Sequence, residues 1–281
     1  MPAARRPRPV AGGRQRVLNI AESPADVWDA LDVGPLLDVE PPAAVDLTHG
    51  RSWYGVRDQG ETGSCVGWAL ADSVMRWHLV ERGRLSPRQR LSARFIWMAS
   101  KEWQAQRVAK DHESVDDLLL QWQPSTFLEE AATTAKDGLE VARKLGVVPE
   151  PTLRWSGPLN RGPERVFYDR AAQYKLTGYY RIDVPGFEAR VRRWKQWLAQ
   201  QGPIMLIVEV DRSLLAGHAA LDAFRRRRLV ALHACALVGY EGDEFILRNS
   251  WGTRWGRRGY ARAAPAWMRQ AVQESYGVTF D

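Results

Sequence analysis

The stretch Gln59-Gly-Glu-Thr-Gly-Ser-Cys65-Val-Gly-Trp68-Ala decides how the rest of the chain is read. A glycine-rich turn delivers a cysteine to what should be the first turn of a helix. Val66, Leu70, Val74 and Trp77 recur at helical spacing, so they share a face and predict a helix from about Ser64 to Arg82, with Gly83 as its stop. The positive end of a helix favours thiolate over thiol, which makes Cys65 a candidate nucleophile; a buried, inert cysteine is the bland alternative.

Outward from this point the chain divides by character. Further helices are expected over Pro87–Trp103 and Phe127–Lys144, the last stopping at Gly146. Beyond them, 175–183 (KLTGYYRID), 204–210 (IMLIVEV), 232–240 (LHACALVGY), 244–249 (EFILRN) and 259–263 read as strands, interrupted by one helix around 187–201. A helical lobe followed by a β-rich lobe places a cleft between them, where ligand sites commonly form. Residues 1–16 read as a disordered arm, and Pro24–Leu31 as a short amphipathic stretch closed by Pro41-Pro42.

Two further residues stand out in the second half. His233 begins the strand Leu232-His-Ala-Cys-Ala, and Asn249 follows sixteen residues later, opening Asn249-Ser-Trp-Gly-Thr-Arg-Trp-Gly256. Alone, each has an ordinary structural reading, as a satisfied strand histidine and a turn asparagine. Together with Cys65 they resemble the papain, or cathepsin-like, family of cysteine peptidases. Gln59 stands six residues before Cys65, as the family's oxyanion-hole glutamine does, and Gly63-Ser64-Cys65 resembles the approach to its nucleophile. His233-Ala with Val238-Gly239-Tyr240 resembles its histidine strand, and Asn249-Ser250-Trp251-Gly252 its asparagine motif. Weaker likenesses at Val45-Asp46 and Gly202-Pro203-Ile204 keep the family order.

The resemblance implies an α+β, papain-like two-lobe fold with a mainly helical N-terminal lobe and an antiparallel β-barrel-like C-terminal lobe, the active-site cleft lying between them. It implies an extension over 1–43 and a peptidase domain over 44–281, its lobes meeting near 163/164. It further implies that a Cys65 thiolate, paired with a His233 imidazolium, attacks a peptide or isopeptide carbonyl. His233 acts as acid and base, Asn249 orients it, Gln59 donates to the oxyanion, and Trp251 shields the histidine–asparagine hydrogen bond. Ser250, Gly63 and Ser64 support these groups, and Ala231 and Leu232 line an apolar wall near a substrate pocket. No cofactor or metal is implied. Acyl transfer by the same triad, or a non-catalytic binding protein on this fold, are the competing readings.

Departures from the family matter too. Thr62 stands where a disulfide cysteine is common, Val66 replaces the usual tryptophan, and Leu232 replaces the acidic residue that often precedes the histidine. His233 lies 168 residues after Cys65, beyond the ~130–150 expected in papain itself. Insertions at Lys101–Ser125 and Arg212–Arg228 account for the excess. The second contains Phe224-Arg-Arg-Arg-Arg228, read either as a solvated loop or as a recruiter of acidic substrate segments.

Composition sets the remaining bounds. With 281 residues, 45% of them hydrophobic, the chain can bury a core without staples. Two cysteines, Cys65 and Cys235, give no disulfide framework, and Cys235 reads as a small core residue. The chain looks like a disulfide-free, bacterial-type relative. No run approaches the ~18 apolar residues of a membrane span, and no signal-peptide core follows the basic start, so a cytoplasmic setting is expected. The net charge of +7 rests on 34 arginines among 40 basic residues, without the aromatic interleaving of nucleic-acid binders. The expected partner is therefore a protein or peptide, with neither membrane nor nucleic acid. The 43 residues ahead of the peptidase region are few for a long helical pro-segment and read as a structural or docking strand, or a short regulatory flap.

Overall fold

The computed structural model describes residues 16–18, 20–25, 35–50, 53, 55–110, 133–156 and 164–281. Residues 1–15 of the expected 1–16 arm, most of the amphipathic stretch, residues 111–125 of the first insertion and the start of the 127–144 helix lie outside these residues; Arg16, the last of the expected disordered arm, is instead held by hydrogen bonds.

The helix after the glycine turn runs from Cys65 to Glu81, but its middle is not α-helical. Cys65–Gly67 and Arg76–Glu81 are α, and Trp68–Met75 is a π-helix, a form that recurs at functional sites. Its last turn closes on Gly83, which takes the left-handed conformation at φ +68°. Gly67 marks where this helix crosses the helix Ala93–Lys110: a Cβ there would lie 2.3 Å from the Ala93 carbonyl oxygen.

The second helix starts at Ala93 rather than Pro87. Residues 90–92 are held extended against 148–150, with Leu91 bridging Pro149, and the Ser92 hydroxyl then caps the helix at Phe95 N, 3.1 Å. The Ala135–Lys144 helix opens on a capping box between Thr134 and Asp137. The helix Glu164–Ala172 was not read from the sequence.

The second half forms one eight-stranded sheet from β1 (Ala44–Asp46), β2 (Gly178–Arg181), β3 (Ile204–Glu209), β4 (Ala220–Leu221), β5 (Leu232–Glu241), β6 (Glu244–Arg248), β7 (Tyr260–Ala263) and β8 (Val272–Thr279). Its order is β2-β8-β3-β5-β6-β7-β4, with β1 also on β5. The α+β architecture is as expected, and the barrel-like sheet does not close. The pairing path stays open, and its last strand, two residues long, runs parallel to β7 while the other pairs are antiparallel. β8 escaped the sequence reading, although it lies inside the sheet between β2 and β3.

Alternation along β5 divides the molecule. Leu232, Ala234, Ala236 and Val238 face the core built with the helices, while Cys235 and Leu237 face a second core under Phe187–Gln200 and Pro265–Ala271. Alanine at 234 and 236 leaves room for the start of the Cys65 helix to approach the sheet. Both cysteines are free and buried. No helix of the described residues is long and apolar enough to cross a membrane.

Candidate active site

Cys65 opens its helix against β5. Its thiol interacts with the backbone of Ala234, the residue after His233, and with the amides of Cys65 and Val66 at the helix start. The two segments that carry the other expected residues are zipped together nearby. Gln59 N donates to Ser250 O at 2.8 Å, Gly252 N to Arg57 O at 3.0 Å, and Asp58 bridges Trp251. A loop from the helical half and a loop from the sheet thus hold each other in register.

His233 and Asn249 meet as the sequence leads one to expect, with Nε2 of the ring 2.7 Å from Oδ1 of the amide. Asn249 Oδ1 also accepts the Ser250 backbone N–H at 2.7 Å. Two N–H groups converging on one atom require it to be the oxygen, so His233 carries its proton on Nε2 and presents a lone pair on Nδ1. That Nδ1 is buried and has no hydrogen-bond partner among the described residues. The Trp251 ring covers the imidazole, centroids 4.5 Å apart, and Trp255 meets Trp251 edge-on at 6.0 Å.

The Gln59 side chain is fixed at both ends. Its Oε1 accepts from the Ser250 hydroxyl at 2.6 Å, and its Nε2 donates to the Thr62 carbonyl at 2.8 Å. The carbonyl partner fixes the amide's orientation and leaves the second N–H of Nε2 for another acceptor. Thr62 hydrogen-bonds Gln59 O and the Ser64 hydroxyl at 2.8 and 2.7 Å, so a hydroxyl closes this turn. Ser64 and Gly63 are buried within it. Leu232 packs into the core shared with the helices, and Ala231 is half-buried at the start of the strand.

The resemblance implies a thiolate–imidazolium pair; in the structure Cys65 and His233 are both 0% exposed. Burial pushes the Cys65 thiol up to about 11 and the His233 imidazolium down to about 4, despite the favourable contact with Asn249. Burial thus disfavours charge on both groups and holds each towards its neutral form.

A segment that the sequence reading assigned no chemistry lies over the site. Arg16 donates to Asp58 at 2.5 Å, to Gly60 O at 3.2 Å and to Trp251 O at 3.3 Å, stacks on the Trp251 ring and disfavours charge on His233. Leu18 packs on the sheet's outer core, and Ile20 enters the helical one and bridges Thr133. Ser23 N then donates to Glu274 at 2.8 Å, and Lys136 Nζ to the Pro24 carbonyl. Arg16 looked like one of many N-terminal arginines, and its partners lie 42 and 235 residues away, out of reach of any local pattern.

Comparison with known proteins places this geometry. Residues 160–278 match the family model for papain family cysteine protease. That match contains His233, Asn249, Ser250 and Trp251 but begins after Gln59 and Cys65. Papain of Carica papaya is 44% identical over 46 residues, 16% of this chain and 12% of its own length. A cathepsin L-like proteinase of Fasciola hepatica is 34% identical over 95 residues, 32% of this chain and 28% of its own. The matches therefore span less than a third of these curated relatives. In fold the likeness runs further: the crystal structure of xylellain, a cysteine protease from Xylella fastidiosa, overlaps 98% of this chain and 100% of its own at a TM-score of 0.67 and 22% identity.

Proposed function

We propose that this chain, papain-like in its α+β fold and in its histidine–asparagine half, is a cysteine peptidase with Cys65 as nucleophile. The observation that carries the reading is the His233 ring, held by Asn249 on one nitrogen and left with a bare, buried lone pair on the other.

In the reaction, the Cys65 proton passes to His233 Nδ1 and the sulfur forms a bond to the substrate's carbonyl carbon. The carbonyl oxygen, now an anion, takes hydrogen bonds from the spare Gln59 N–H and the Cys65 backbone N–H. Collapse breaks the C–N bond, and the leaving amine takes the proton from Nδ1. Water, deprotonated by the same nitrogen, then releases the acid and restores the thiol. Asn249 keeps the ring in the tautomer that makes each transfer possible, and Trp251 keeps water from competing for that bond.

The segment over 16–25 is the resting cover of this site, within the extension over 1–43. Its displacement hydrates Cys65 and His233, lowers the thiol's pKa and raises the imidazole's, and so favours the ion pair that burial suppresses. The apolar wall at Ala231 and Leu232 then meets the substrate.

Treatment with an epoxide-type thiol inhibitor and mass mapping tests the reading, with Cys65→Ala as control. One adduct on Cys65, absent from the variant along with turnover of a casein digest, is expected. An adduct on Cys235 would reassign the nucleophile. Product analysis with and without added amines separates hydrolysis from acyl transfer.

A further inference from the structure

The excursion between β3 and β5 carries the strongest charge the mechanism does not use. Val210 N donates to Ala231 O, which closes the neck of this excursion two residues from His233. Inside it, Asp211 caps the short helix Arg212–Ala216 through Leu214 N and also takes the Arg225 backbone N–H at 2.9 Å. The excursion rests on the pair that covers His233: Trp255 Nε1 donates to Leu214 O at 2.8 Å, and Trp255 in turn meets Trp251.

Arg225, Arg226, Arg227 and Arg228 follow on the outside. Three are exposed and Arg227 is half-buried, with one guanidinium nitrogen buried and unpartnered. Among the described residues, no carboxylate pairs with any of the four guanidinium groups. The Arg225 backbone is tied down and Arg226 stacks on Phe224, while three of the four arginines stay exposed and Arg227 tucks one nitrogen under the surface. Four uncompensated charges are more than half of the chain's net +7. Leu229 and Val230 come next, 61% and 68% exposed, two of the six large exposed hydrophobics among the described residues. His233 lies five positions after Arg228, a reach of at most roughly 18 Å.

We propose that residues 225–230 form a docking surface for a polypeptide substrate with an acidic segment next to an apolar side chain, held beside the scissile bond. This deepens the peptidase reading above and rests on it for the identity of the bound chain. A nucleic acid would satisfy the arginines but would leave Leu229 and Val230 in water. A membrane surface would need more apolar area than two side chains offer. A polypeptide answers both halves: carboxylates for the guanidinium forks, and a side chain for the apolar pair.

The test measures fluorescence anisotropy of labelled peptides on the intact chain. One peptide is rich in glutamate around a leucine, its control carries glutamine instead, and single-stranded RNA and phosphatidylserine vesicles form the other arms. At about 50 mM salt the acidic peptide should bind about tenfold tighter than its control, and higher salt should erase the difference. Replacing all four arginines with serine should abolish the preference, replacing them with lysine should keep most of it, and neither should change turnover of a short neutral peptide. Leu229→Ser with Val230→Ser should weaken only peptides that carry the leucine.

No preference in the natural chain, a preference surviving the serine replacement, or binding confined to RNA or vesicles would overturn the proposal. Absence of any peptide turnover, with the binding preference intact, would instead overturn the peptidase reading and leave the surface standing.

Discussion

Arg248 and the run Arg225–Arg228 flank the same histidine–asparagine pair with opposite physical logic. Arg248 is 1% exposed and fully engaged: Nη2 on Asp72 at 3.2 Å, Nε on the Ser73 hydroxyl at 3.2 Å, Nη1 on the Tyr260 hydroxyl at 2.9 Å, and its plane on Trp53. Asp72 and Ser73 belong to the π-helix that follows Cys65, and Arg248 is the residue before Asn249. One guanidinium thus joins the cysteine's helix to the asparagine's strand. The run at 225–228 joins nothing, and its freedom is what suits it to bind another chain. Charge that is buried and paired sets geometry, whereas charge left in water selects partners.

Removing the buried arginine should break the comparison most sharply. Arg248→Ala removes the nearest cation from buried Asp72, leaving Arg90 at 3.6 Å with Arg57 and Arg76 further off, and should cost about 3–5 kcal/mol of stability, read by denaturant unfolding. The four-serine variant of the exposed run should unfold at the natural midpoint. Equal losses in both would show that the two regions do not differ as described.

Gln59→Ala comes next in size. It removes the spare N–H and frees the Ser250 hydroxyl, and should lower kcat about 10²–10³-fold with little change in KM, measured on a short peptide. A change in KM alone would mean that Gln59 binds substrate without stabilising the oxyanion.

How much of this was legible beforehand follows from the reach of each interaction. The nucleophile helix, the five expected strands and the four site residues carry their signals locally, in spacing, turn glycines and short motifs, and the structure brings Gln59, His233, Asn249, Ser250 and Trp251 into one hydrogen-bonded and stacked group. β8 was missed because Gln273-Glu-Ser-Tyr-Gly breaks the run of β-branched residues; the strand exists because its neighbours on both sides pair with it. The π-helix keeps nearly the α spacing over two turns, so Val66, Leu70 and Val74 fit either form. Arg16 and Arg248 were unreadable for a different reason. Each acts through partners far along the chain, and a single arginine carries no pattern.

The motif specifies neighbours and says nothing of solvent, and this gives the last prediction. With the thiol pushed up to about 11, alkylation of Cys65 by a small reagent should rise about tenfold per pH unit from pH 7 to pH 10, because only thiolate reacts. Arg16→Ala removes the latch on Asp58 and Trp251 and the cation that disfavours imidazolium. Both changes act in one direction: hydration lowers the thiol's pKa, and His233, now easier to protonate, stabilises the thiolate. The variant should therefore react several-fold faster at pH 7, with a shallower pH dependence and no change near pH 11, where the thiol ionises in either form. A uniform rise at every pH would mean that the segment only blocks access. Equal rates throughout would mean that residues 16–25 sit over the cysteine without holding it neutral, and that the buried pair belongs to the core of the site itself.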